Sequence, residues 1–155
     1  DNDVVTIINQ GLNRLATLGY SFGEKEITSA TADTFETFTE DVIGVVLVLD
    51  ENDNMYNLWQ YEEGSGIKFS DDGDYNVLFK KIPTDIISIT EDISLNDVYK
   101  TPLSKYFQGF VKLQRNDTSP DGTRLMREFE RLSASAYNTL LTSRTPAEIR
   151  VGQNA

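Results

Sequence analysis

The chain has 155 residues, 39% of them apolar and 25% charged: one domain by length, long enough to bury a core, and globular rather than disordered in composition. It has no Cys and no His, which removes disulfides, the usual ligands of zinc, copper and haem, and Ser-His or Cys-His nucleophiles, leaving only carboxylate pairs, Lys, Tyr or an oxygen-ligated cation for any chemistry. The net charge of −11 is uneven: residues 1–74 carry 16 Asp/Glu against 3 Lys/Arg, net −13, whereas residues 75–155 carry 9 against 11, net +2, which disfavours a nucleic-acid backbone as ligand of the acidic half.

Residues 3–19 predict an amphipathic helix, with Val4, Ile8, Leu12, Leu15 and Leu18 or Gly19 on one stripe and Gly19 as the stop. The chain opens on Asp1 without a Met, so its initiator is expected to be missing, and no signal pattern or membrane-length apolar run appears. Residues 20–40 are polar and Thr-rich, with Phe35 and Phe38 three apart. A short helix and a loop with a strand both fit them.

The β region is expected over 43–82. "IGVVLVLD" (43–50) reads as a strand buried on both faces. "ENDN" (51–54) reads as a turn, and "MYNLWQY" (55–61) as the returning strand of that hairpin. "IKF" (67–69) is a short strand between Gly-containing loops. "YNVLFKKI" (75–82) is a longer strand with Tyr75, Val77 and Phe79 on one face, closed by Pro83. Ile87, Ile89, Ile93 and Leu95 then alternate, which predicts a stiff extended joint covering the core between sheet and helices.

Two helices follow, over 102–115 and 119–144. Thr101 is the expected cap of the first, with Pro102 in its first turn and a stripe of Leu103, Tyr106, Phe107, Phe110 and Leu113. Ser119 caps the second, Pro120 follows, and Asp121 faces the positive end of its dipole. Its stripe is Leu125, Phe129, Leu132, Ala136 and Leu140. The short connection predicts an antiparallel hairpin that buries Phe107, Phe110, Phe129, Leu132 and Leu140. Residues 1–145 thus form one domain, and residues 146–155 an extended arm. In that arm Ile149 and Val151 flank Arg150 beyond Pro146, a pattern suited to lying along a partner.

No motif carries chemistry. Asp50, Asn52 and Asn54 begin like a calcium loop, but Met55 and Tyr61 stand where it needs Gly and a bidentate Glu. Asp71, Asp72 and Asp74 around Gly73 match no ligand spacing and read as a solvated turn. No Asp/Glu pair stands out for glycosidase work. "NDT" (116–118) matches a glycosylation acceptor in composition only. Tyr56, Trp59 and Tyr61 lack the basic neighbours of a base-stacking platform. The expectation is no enzyme, no cofactor and no metal.

The run "YNVLFKKIP", then "ISLNDVYKTPLSKYFQGFVKL", the polar break "QRNDTSPDG" and the helix "TRLMREFERLSASAYNTLLTSR", together with the opening "VVTIINQGLNRLATLGY", resembles the head-to-tail adaptor proteins of tailed bacteriophages. Examples are the podophage tail-tubular-A and head-completion adaptors and the ring proteins of crAss-like phages. The likeness is one of element order and residue class over about two-thirds of the chain, and the segment 43–61 is not matched residue by residue. It implies an α+β virion protein made in the host cytoplasm that assembles as a homo-oligomeric ring, commonly of twelve copies. Such a ring sits between the portal protein and the tail or nozzle proteins, passes DNA without sequence-specific binding and touches no membrane. An acidic wall would let a duplex slide. Pro146, Ile149, Arg150 and Val151 of the arm, with Ile87 and Ile89 of the joint, are the candidate partner-binding residues. The rival readings are a tail terminator or other neck ring, a carboxylate-based hydrolase, and a soluble protein-binding module.

Overall fold

The computed structural model of the protein describes residues 2–144. The elements are α1 (Asn2–Thr17), β1 (Phe22–Ala30), β2 (Asp41–Asp50), β3 (Trp59–Glu62), β4 (Gly66–Phe69), β5 (Gly73–Ile82), a 3₁₀ turn (Asp97–Tyr99), α2 (Lys100–Arg115) and α3 (Pro120–Arg144). The α+β class expected from the sequence is the class observed: an N-terminal helix, small antiparallel sheets and two C-terminal helices packed together. The described chain packs as two compact units. A helical unit holds residues 2–21 and 82–139, and a sheet unit holds residues 22–81 and 140–144.

In the helical unit, α1 buries Ile7, Leu12 and Leu15, while Val4 and Ile8 stay half-buried. The helix stops at Thr17 because Gly19 takes φ 77°, Tyr20 N–H bonds back to the Leu15 carbonyl at 3.0 Å, and Gly19 N–H bonds to that of Ala16 at 3.0 Å. Thr101 does not cap α2. Asn96 Oδ1 accepts the Val98 N–H at 3.1 Å one turn earlier and opens the 3₁₀ turn that runs into the helix, so Thr101 and Pro102 fall inside the first turn. In α3, Ser119 Oγ accepts the Gly122 N–H at 3.1 Å, the cap the sequence predicts.

Helices α2 and α3 run antiparallel: Lys105 pairs with Glu128 at 3.3 Å, Tyr106 meets Phe129 edge-on at 5.0 Å, and Lys112 pairs with Asp121 at 2.8 Å. The backbones come close where Gly109 faces Gly122; a Cβ on Gly122 would lie 2.8 Å from Leu113 Cγ. Because Tyr106 and Gly109 occupy the seam, Phe107 and Phe110 flank it and are half-buried, as is Leu132. Of the five residues expected to be buried, Phe129 and Leu140 are, and Leu140 belongs to the sheet unit.

Asp121 receives hydrogen bonds from Lys112 first and Arg124 second, which hold its carboxyl at about 2. A carboxyl whose folded pKa is depressed contributes stability above its unfolded value and loses it as pH falls through the folded one. The Asp121→Asn variant should therefore melt below the parent near neutral pH, and the gap should close between about pH 4 and pH 2. High salt should also shrink it, since the pairs are exposed. A gap that stays constant with pH would mean these pairs do not stabilise the hairpin.

In the sheet unit, β5 is central in the order β1-β5-β2. Phe22 pairs with Lys80 and Ile27 with Tyr75, before a bulge that carries Ser29 at φ 55°. Tyr75, Val77 and Phe79 do share one buried face. They join Ile27, Ala30, Val48, Ile67 and Phe69 in the core, where Phe69 stacks on Tyr75 at 3.9 Å. Residues 20–40 form β1 and a loop, the second of the two readings that fit the sequence, with Phe38 packed edge-on to Phe79 at 5.2 Å. Two expectations change. Strand β2 lies at a sheet edge, buried at Leu47, Val48 and Leu49 but 49% exposed at Ile43. Residues 55–61 do not return along β2. Asp50 Oδ1 takes the N–H groups of Asn52 and Asn54 at 2.9 and 3.0 Å, one Leu49–Met55 bridge forms, and the chain then leaves. Residues 59–62 pair instead with β4, from Trp59↔Phe69 to Glu62↔Gly66, because a three-residue turn brings that partner closest in sequence.

Candidate functional site

The alternating stretch from Ile87 to Leu95 is not a strand. It is irregular, and the residue it buries is the one before the pattern, Ile86, 5% exposed. Ile86 is held by α1: its N–H donates to Asn9 Oδ1 and its carbonyl accepts from Asn9 Nδ2, both at 2.9 Å. The loop then ties itself together. Thr84 N–H reaches Ser94 Oγ at 3.0 Å, Ile87 N–H reaches Glu91 Oε2 at 3.2 Å, and the Ser88 and Thr90 hydroxyls bond at 2.9 Å. With its polar groups bonded to one another, the loop presents Ile87 at 85% exposure and Ile89 at 54%. The joint is tied by hydrogen bonds rather than a ladder, and Ile87 and Ile89 do not cover the core.

Asn9 is therefore the positioning residue of this loop. Asn9→Ala should destabilise the helical unit by about 1–3 kcal/mol, since it strands a buried N–H and carbonyl. Hydrogen exchange at Ile86 should accelerate with it. An unchanged exchange rate there would show that the Asn9 clamp is not what holds the loop.

Beside the loop, α1 and the start of α2 enclose an open groove of about 420 Å³ lined by Val4, Ile8, Ile93, Leu103, Phe107 and Ser104, with Glu91, Asp92 and Lys100 at its polar margin. Its apolar residues are those that miss full burial. The stripes of α1 and α2 are wider than the packed faces need, and the surplus lines the groove. Tyr99, fully buried next to it in sequence, fixes the entry to α2 by donating its hydroxyl to the Tyr20 carbonyl at 2.6 Å.

The acidic residues of the sheet unit form a second, smaller crevice of about 190 Å³ lined by Asp50, Glu51, Tyr56, Asp72, Asp74 and Tyr75. Its carboxylates serve the loops. Asp72 Oδ1 accepts the Ala32 N–H and Asp74 Oδ1 the Ser29 N–H, each at 2.7 Å, and Asp71 accepts the Tyr56 hydroxyl at 2.9 Å. Burial pushes the Tyr75 phenol up, and its hydroxyl donates to the Asp71 carbonyl at 2.8 Å. Among the described residues no three His, Cys, Asp or Glu converge to hold a metal, and no helix is long and apolar enough to cross a membrane.

The charge asymmetry follows the two units. Among the described residues the sheet unit holds 14 acidic and 5 basic side chains, net −9, and the helical unit 9 and 8, net −1. Of the candidate partner-binding residues, Ile87 and Ile89 sit together on the exposed loop, while Pro146, Ile149, Arg150 and Val151 lie outside the described residues. The groove residues Val4, Ile8, Leu103 and Phe107 read as core from spacing alone; the only signal against that was the width of the stripes. Comparison with protein-family models and with curated proteins found no match.

Proposed function

We propose that the protein is a structural virion component, a head-to-tail adaptor whose copies form a ring between portal and tail and let DNA pass. The observation that carries this reading is the pairing, on one helical unit, of an apolar groove with a hydrogen-bonded loop that exposes Ile87 and Ile89. Exposed apolar surface rimmed by charge is the mark of a protein-binding face. The likeness in element order to the phage adaptors supplies the kind of assembly. The net −9 of the sheet unit supports a DNA-passing role, because a negative wall repels phosphate rather than binding it. No covalent step is assigned to any residue.

The test is assembly. The purified chain, alone and with the portal protein of the phage that encodes it, should give a ring in electron micrographs and a matching mass by light scattering. The double variant Ile87→Asp, Ile89→Asp should melt like the parent, since both side chains are exposed, yet fail to join the portal. A chain that stays monomeric with and without the portal would end the adaptor reading.

A further inference from the structure

The apolar groove of the helical unit is open, and the sequence beyond residue 144 has a pattern complementary to its lining. Residues 145–155 read "TPAEIRVGQNA". In an extended segment residues two apart share a face, so Ala147, Ile149 and Val151 would point together, with Glu148 and Arg150 on the other face. The groove offers an apolar floor of Val4, Ile8, Ile93, Leu103 and Phe107, a margin of Glu91 and Asp92, and Lys100. Each feature of the segment has its complement there. The small Ala147 and the two larger aliphatic side chains suit the floor. On the outward face, the long Arg150 side chain can reach back to the acidic residues, and Glu148 suits Lys100, which in the free protein pairs with the exposed Asp97 at 3.1 Å. The eleven residues span about 36 Å when fully extended.

We propose that the groove is the docking site for residues 145–155 of a second copy of this chain. Ile149 and Val151 fill the floor, and Arg150 pairs with Asp92 and Glu91. A segment of one copy seated in a groove of the next is a heterologous contact, using different surfaces on the two partners. Repeated, such contacts close into rings when the rotation permits. The inference therefore deepens the ring reading and names its subunit contact, but arm and groove can meet whether or not a portal is the final partner.

The experiment uses a labelled peptide of residues 145–155, titrated into the chain ending at residue 144 and followed by fluorescence anisotropy. Binding with Kd below about 1 mM is expected. Ser104→Trp, which fills the groove from an exposed helical position, should abolish binding while the protein melts like the parent. Asp92→Lys should weaken it roughly three- to tenfold, and a peptide carrying Arg150→Glu should recover that loss. In the full chain, sedimentation velocity should show self-association that rises with concentration and vanishes on deletion of 145–155 or with Ser104→Trp. Absence of peptide binding at about 1 mM, or binding indifferent to Ser104→Trp, overturns the proposal. So does a full chain that remains monomeric at every concentration while the peptide binds, because the segment would then occupy its own copy's groove. Self-association through this contact without any portal complex would instead keep the inference and remove the adaptor reading.

Discussion

Replacing Gly66 with alanine is expected to destabilise the sheet unit by about 2–5 kcal/mol, the sum of a left-handed backbone penalty and a steric one. Gly66 sits at φ 106°, where L side chains are strained. A Cβ there would also run into the Glu36 carbonyl oxygen, and would lie 2.8 Å from the carbonyl carbon of Glu36 and 3.0 Å from Thr37 Cα. These are backbone atoms, and they cannot retreat. Glu36 N–H donates to the Ile67 carbonyl at 2.7 Å and its own carbonyl accepts the Ile67 N–H at 2.9 Å, which locks the loop against the first residues of β4. Gly64, two positions earlier, is the control. It has φ 82° but nothing within 4 Å of its Cβ position, so Gly64→Ala should show the backbone penalty alone, about 1–2 kcal/mol. Denaturant titration of both variants separates the two contributions. If Gly66→Ala costs no more than Gly64→Ala, the close approach of the Glu36 loop is not a constraint on the fold.

Truncating Phe129 to alanine is expected to cost on the order of 3–5 kcal/mol, the range for a large buried aromatic. Its side chain is 1% exposed, and its ring meets Tyr106 edge-on at 5.0 Å. The loss would fall at the seam between α2 and α3. The close backbone approach at Gly109 and Gly122 leaves the helices no room to slide inward and collapse the cavity. Phe110, half-buried at the edge of the seam with its ring 6.1 Å from that of Tyr106, should cost clearly less on the same change. Equal melting of Phe129→Ala and the parent would mean that the seam has been assigned to the wrong face of α3.

Taken one segment at a time, the chain was most legible where structure is local. The stop at Gly19, the Ser119 cap and the strand ending before Pro83 depend on groups within a few residues of one another, and these signals match the structure. The absence of His and Cys by itself narrows the chemistry open to the chain. Even local chemistry has competitors, however. Asn96 and Thr101 are both good caps, and the earlier one starts the turn.

What sequence pattern could not decide was which neighbour an apolar residue meets. The run 43–50 is apolar enough for a central strand, yet the central place goes to β5, and β2 takes the edge. Residues 55–61 had two possible partners, and the turn closed by Asp50 spends one bridge on β2 before β3 turns to β4. Alternating isoleucines from 87 to 95 fit a strand by period, but a strand needs a second strand beside it, and here Asn9 holds the backbone at Ile86 while the loop bonds to itself. Composition and local spacing thus determined the α+β class, the Gly19 stop, the Ser119 cap and the absence of His- or Cys-based chemistry, because backbone geometry and capping act over a few residues. The strand order, the outward Ile87 and Ile89, and the groove between α1 and α2 were decided only in the tertiary structure, because burial and pairing depend on segments far apart in the chain competing for the same surface.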